Sequence, residues 1–324
     1  MKILVTGAAG FIGSRTTEFL LEAGHQVVGV DNLNDYYDVG LKKHRLDRIR
    51  AGRGDGFSFV ELDIEEKPEV LRLFRGHGFE AVVNLAARAG VRYSMEHPDV
   101  YFTTNTLGTL HLLDGMKEVG SRKFVLASTS SLYAGQPMPF REDLPVNTPI
   151  SPYAASKKAA EAISYTYHHL YGIDVSVCRY FTVYGPAGRP DMSPFRFIKW
   201  IAEGTPLRIY GDGTQARDFT YVDDIARGTV AALRPLGFET INLGGGENPV
   251  TLKALIAIIE NHLDRKALLE YLPNHKADVK ETWADIGKAD RLLGWKPEVP
   301  LEDGVARSVA WYNRNQALVR AIAV

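Results

Sequence analysis

Tyr153 and Lys157 stand four residues apart, just after Ser151-Pro152, which reads as a helix N-cap followed by proline at the first helical position. On such a helix the two side chains share one face. A phenol is a weak base at its ordinary pKa of about 10. A lysine ammonium or another cation beside it stabilises the phenolate and brings proton removal from an alcohol within reach of neutral pH. Thr129, just beyond the expected strand Lys123–Ala127, supplies a hydroxyl that can hold the same oxygen. The chemistry is therefore deprotonation of a hydroxyl, which needs an acceptor for the hydrogen left on carbon.

The acceptor's place is written at the other end of the chain. Thr6-Gly7-Ala8-Ala9-Gly10-Phe11-Ile12-Gly13 follows the first strand pattern and opens the first helix pattern. Glycines there allow a tight turn and close approach of the backbone to a pyrophosphate seated on the helix N-terminus. The next strand runs into Asp31, the acid expected to accept from a ribose 2′-hydroxyl and to repel a 2′-phosphate, so the spacing favours NAD over NADP. Asp63 suits an adenine amino group, and the small Leu85-Ala86-Ala87 stretch leaves room for the dinucleotide. The Lys42-Lys43-His44-Arg45 run can hold a phosphate but reads as a solvated helix face.

These groups need a sheet edge to hold them. Strands are expected at Ile3–Thr6, Gln26–Val30, Phe57–Leu62, Ala81–Leu85, Lys123–Ala127 and Asp174–Cys178. Helices are expected at Ile12–Ala23, Glu66–Phe74, Thr104–Glu118 and Pro152–Tyr171. The strands are nearly continuous in apolar character, as parallel strands buried on both faces are. Alternation with helices gives an α/β class with a doubly wound parallel Rossmann sheet. Residues 1–180 form the expected NAD-binding domain and 181–324 a smaller α/β substrate lobe, with helices at Phe195–Glu203, Asp223–Leu233 and Thr251–Leu263 and a chain free to cross back.

Composition narrows the class. Among 324 residues, 38 Lys and Arg face 39 Asp and Glu, a net charge of −1 that gives no electrostatic footprint for nucleic acid. One cysteine, Cys178, offers neither an internal disulfide nor a multi-cysteine metal centre and suits a reducing compartment. No apolar run of about 18 residues is present to span a membrane. The expectation is a cytoplasmic enzyme with no bound metal, no nucleic-acid partner and no membrane association.

The glycine turn, the Thr129, Tyr153 and Lys157 set and Arg217-Asp218-Phe219-Thr220-Tyr221-Val222-Asp223-Asp224 resemble the extended short-chain dehydrogenase/reductase family that acts on nucleotide sugars. Four stretches sharpen the resemblance toward members that work on a UDP-linked hexuronate. They are Asp31–Asp38, Ala89–Ser94, Phe181–Met192 and Asp278–Asp285. Arg88 and Ala187 depart from the pattern, standing where Gln and Trp are usual.

The resemblance implies tightly held NAD, a homodimer in which helices Thr104–Glu118 and Pro152–Tyr171 pair with their copies, and inversion at C4 through a transient 4-keto sugar. UDP-glucuronate would become UDP-galacturonate; a neutral UDP-hexose or UDP-N-acetylhexosamine is the alternative substrate. It adds Asn32, Asn34, Lys43, Ile64, Tyr180 and Val183 to the cofactor site, and places Arg88, Arg92, Ser94, Thr182, Met192, Arg217 and Asp278 at the substrate. Ser130 and Ser131 stand where dehydrating or decarboxylating relatives carry carboxylates, and with Thr182 and Arg189 they could hold a C6 carboxylate by charge-assisted hydrogen bonds.

Overall fold

The computed structural model describes residues 1–246, 249–273 and 280–324. Among them, seven parallel strands form one sheet: β1 (Lys2–Thr6), β2 (Gln26–Asp31), β3 (Phe57–Glu61), β4 (Ala81–Asn84), β5 (Lys123–Thr129), β6 (Asp174–Tyr180) and β11 (Phe238–Leu243). Their order is β11-β6-β5-β4-β1-β2-β3. The winding reverses between β1 and β4, so a crevice opens above their carboxyl ends, where doubly wound sheets bind ligands.

The sheet is buried on both faces because successive side chains feed different cores. On β1, Ile3 and Val5 join one apolar cluster and Leu4 the other. One face is covered by α3 (Lys67–His77), α6 (Thr109–Val119) and α7 (Pro152–Tyr171); the other by α1 (Phe11–Glu22), α2 (Val39–Arg53) and α9 (Val222–Ala231). Two short helices, α4 (Val91–Glu96) and α5 (Asp99–Tyr101), lie between β4 and α6. The expected helix from Thr104 is two things: a wide π-helical stretch, Phe102–Gly108, and then α6. Its close packing shows at Gly108, where a Cβ would meet Ile64 Cδ1 at 2.6 Å.

The strand ends move in the useful direction. β5 runs on to Thr129 and β6 to Tyr180, in parallel register Thr129 to Tyr180, which carries both residues to the crevice. The smaller lobe holds β7 (Thr182–Tyr184), α8 (Ser193–Glu203), β8 (Leu207–Tyr210), β9 (Ala216–Arg217) and β10 (Phe219–Tyr221). The chain then returns through α9, which packs on α1, and β11, which pairs with β6. It leaves again through β12 (Val250–Thr251), α10 (Leu252–Leu263), β13 (Leu269–Leu272), α11 (Gly287–Leu293), α12 (Leu301–Arg314) and α13 (Gln316–Ala321). Residues 181–324 thus include one strand of the large sheet. Among the described residues no helix is long and apolar enough to cross a membrane.

Candidate functional site

A cleft of about 360 Å³ lies over the carboxyl ends of the central strands. Its floor is the turn between β1 and α1. Gly7 takes φ +68°, and a Cβ there would stand 2.7 Å from the Ala86 nitrogen; one on Gly13 would stand 1.9 Å from the Gly7 carbonyl oxygen. Only bare backbone fits, and it leaves the N-terminus of α1 open to an anion. Leu85, Ala86 and Ala87 are held opposite by a buried polar chain. The Thr6 hydroxyl donates to Asn84 (2.7 Å) and accepts from the Ala86 N–H (3.1 Å), while Asn84 donates to Thr109 (3.0 Å).

At the β2 end, Asp31 accepts from the N–H groups of Ala9 (3.2 Å) and Leu33 (2.9 Å). Asn32 donates to Asp63 at 2.6 Å, and Asn34 caps the same loop through Asn32. These groups line the cleft with Ile64, as Tyr180 and Val183 do from β6 and β7. The cradle, the paired acids and the bare turn fit a dinucleotide.

Lys43 does not join them. It is exposed on the outer face of α2, whereas Lys42 is buried and lines the cleft with its Nζ 3.8 Å from Asp31. Arg45 has no exposed surface at all. The helical phase explains this: Leu41, Arg45 and Ile49 fall at intervals of four on the inward stripe, with Lys42 beside them. The Lys42–Arg45 run is therefore half core.

The reactive end gathers at β5 and α7. The Ser151 side chain caps α7, accepting from the Ala154 N–H at 3.2 Å, with Pro152 next, as the sequence pattern requires. Thr129 accepts from the Ser131 N–H at 3.1 Å and lines the cleft beside the Tyr153 phenol. Burial pushes that phenol above its ordinary value, while the Thr129 hydroxyl and the Arg189 charge pull it down. Lys157 donates to the Ala127 carbonyl oxygen at 2.9 Å, and burial lowers it to about 8 against the opposing charge of Glu161. Arg189 is one cation that acts on the phenol, and Lys157 lines the same cleft. Glu161 is itself pinned behind the pair, accepting from Arg179 (2.8 and 2.9 Å) and Ser128 (2.6 Å).

Arg189 lines the sugar end with Ser130, Ser131, Thr182 and Met192. It forms a forked ion pair with Asp191 and reaches the Ala89 carbonyl oxygen at 3.4 Å. Arg88 turns toward the cofactor end, donating to Asn34 at 3.3 Å. Three expected substrate residues stand outside the cleft. Ser94 is fully buried and its hydroxyl donates to the Val91 carbonyl oxygen (2.6 Å), bracing α4. Arg92 lies 4.1 Å over the Tyr210 ring, and Arg217 donates to the carbonyl oxygens of Ala216 (2.8 Å) and Lys280 (3.4 Å). Asp278 falls outside the described residues. The structure adds Tyr36, Tyr37, Lys42 and Thr104 to the lining.

Comparison with known proteins agrees with this geometry. Residues 3–244 match the NAD dependent epimerase/dehydratase family. A UDP-glucuronate 4-epimerase of Thermodesulfobacterium geofontis is 60% identical over 321 residues, covering 99% of each chain. The structure of a Bacillus cereus UDP-glucuronic acid 4-epimerase in complex with UDP-glucuronic acid and NAD superposes with a TM-score of 0.90 at 39% identity, over 97% of this chain and 99% of that one. A Thermotoga maritima UDP-glucose 4-epimerase with UDP-glucose gives 0.88 at 33% identity, over 98% and 100%. With its bare glycine turn at the sheet's switch point and its Thr129, Tyr153 and Lys157 on one wall, this chain belongs to the NAD dependent epimerase/dehydratase family.

Proposed function

We propose that this protein inverts C4 of UDP-glucuronate, giving UDP-galacturonate, with NAD as a resident cofactor. The observation that carries the reading is the sugar end of the cleft. Arg189 lines it beside the phenol of Tyr153, among the hydroxyls of Ser130, Ser131 and Thr182. The carboxylates among the described lining residues, Asp31 and Asp63, stand at the adenosine end. Similarity to the 60% identical UDP-glucuronate 4-epimerase supports the same substrate.

Bound NAD would supply a reversible hydride acceptor for C4, so the overall reaction would be redox-neutral. Asp31, Asn32 and Asp63 would hold the adenosine half, and the glycine turn would receive the pyrophosphate. Tyr153 takes the O4 proton in the oxidation half and gives it back in the reduction half. Thr129, its oxygen accepting from Ser131, stands beside the phenol where it can hold O4 at Tyr153. Lys157, held on Ala127, would hold the nicotinamide ribose.

The 4-keto stage puts a carbonyl β to the C5 carboxylate, an arrangement that loses CO2 readily. Arg189 and the serine hydroxyls keep the product a hexuronate by holding that carboxylate. Arg189→Ala is expected to raise KM for UDP-glucuronate about tenfold or more, the worth of a hydrogen bond to a charged group, and to change KM for UDP-glucose little. Equal losses on the two sugars would remove Arg189 from the carboxylate.

The same reading makes the protein a homodimer through α6, α7 and the turn before them. Phe102, Leu107 and Tyr165 expose 41%, 45% and 53% of their surface there, apolar area that a second copy would cover. The single buried thiol of Cys178 suits a reducing compartment such as the cytoplasm.

A further inference from the structure

The guanidinium of Arg45 is fully buried, and each of its five N–H groups is used. Nε and Nη2 donate to the Ala187 carbonyl oxygen at 3.0 and 2.8 Å, and Nη2 also to that of Gly188 at 3.1 Å. Nη1 donates to the Ala9 carbonyl oxygen at 3.1 Å and to the Tyr37 hydroxyl at 2.6 Å. None of these acceptors is a carboxylate. They come from three separate segments, each beside the cleft. Ala9 lies inside the glycine turn, Tyr37 lines the wall after β2, and Ala187-Gly188 immediately precede Arg189.

The grip on the last segment matters because Ala187 takes φ +53°, a left-handed conformation that a residue other than glycine seldom holds unaided. Two hydrogen bonds from Arg45 to that residue's own carbonyl oxygen fix it. The planar fork is also what permits the bridge. A guanidinium reaches Ala9 on one edge and Ala187 on the other, while an ammonium offers a single point.

We propose that Arg45 is a positioning residue. Its buried guanidinium ties the segment from Gly185 to Met192 to the glycine turn, so that seating the cofactor on the turn and shaping the sugar end of the cleft become one coupled event. Displacement of the turn by a ligand is felt at Arg189, and order at Arg189 is felt by the turn. By linkage the effect runs equally in both directions. The proposal rests on the assignment of NAD and a UDP-sugar to the two ends of this cleft.

The test uses the purified holoprotein and its R45K variant, which keeps the positive charge and loses the fork. Loss of NAD from each is timed with and without saturating UDP, beside melting temperature, KM and kcat for UDP-glucuronate with NAD in excess. In the wild type, UDP should slow NAD loss about fivefold or more, the lower range of ordinary coupling. In R45K that slowing should fall below about twofold, with KM up about tenfold and kcat within about threefold of wild type. A variant that only melts earlier, with wild-type coupling and KM, would overturn the proposal.

Should R45K fail to fold, Tyr37→Phe removes one acceptor from the same guanidinium. It must weaken the UDP effect by a smaller factor, and an unchanged effect there overturns the proposal as well. The wild-type measurements separate the two levels of the argument. A wild type that carries no NAD and converts no UDP-sugar defeats the functional assignment, whereas a loaded, active wild type matched by R45K defeats only the strut.

Discussion

In the proposed reaction Tyr153 is the proton acceptor, its phenol standing beside Thr129 and in the field of Arg189. Tyr153→Phe removes the proton acceptor and leaves the glycine turn untouched. Turnover should fall by about 100- to 10,000-fold, the usual span for a positioned acid–base group, while NAD released on denaturation stays at the wild-type amount. Lys157 gives a test by pH. Burial sets its pKa at about 8, below the ordinary 10.5. Between those values the unfolded chain holds a proton that the folded one has released, so this group's contribution to stability rises with pH across that window. Lys157→Met should therefore gain stability relative to wild type near neutrality and lose that advantage as pH climbs from about 8 toward 10. Paired thermal melts across that range check it, and a constant difference would contradict the assignment. Tyr153 and Lys157 stand at a common spacing, and what makes them legible in the sequence is their context with Thr129 at a strand end; the structure brings all three to one cleft. Lys42 and Arg45 were not legible. Charged side chains ordinarily mark solvent, and only the four-residue rhythm of Leu41, Arg45 and Ile49 shows that this face of α2 turns inward.

The element that most narrowly determines the site is the junction of β1 and α1. A methyl group on Gly13 would collide with backbone, 1.9 Å from the Gly7 carbonyl oxygen, where no side chain can swing aside. Gly13→Ala should destabilise the protein by about 3 kcal/mol, the upper part of the overpacking range, and strip NAD during purification. Calorimetry and cofactor content check this, and a variant with normal stability would mean that the turn has more freedom than its geometry allows. The first strands and α7 were readable because each is a long signal with clear punctuation: α7 runs from its Ser151 cap to Gly172 at φ +67°, as the residue pattern implied. The π-helical stretch at Phe102–Gly108 was not, since a widened turn keeps an apolar pattern close to that of an α-helix. Nor was β11. Its residues Phe238–Leu243 alternate weakly and form an edge strand, so nothing in them announces that they complete a sheet begun over two hundred residues earlier.

At the scale of the whole molecule, the crossing of the chain through α9 and β11 binds the two lobes around one cleft, which suits a cofactor that is never exchanged during turnover. The proposed dimer would cover the apolar area before α6 and on α7. Leu107→Glu should convert dimer to monomer in sedimentation velocity, and a variant that remains dimeric would place the interface elsewhere. The most direct test of the central claim is to incubate the purified protein with UDP-glucuronate, adding no NAD, and to follow the products by NMR. The expected result is UDP-galacturonate with no UDP-pentose, which joins C4 inversion, a resident cofactor and protection of the carboxylate in one spectrum. A UDP-pentose, or conversion of UDP-glucose alone with UDP-glucuronate left unchanged, would contradict it.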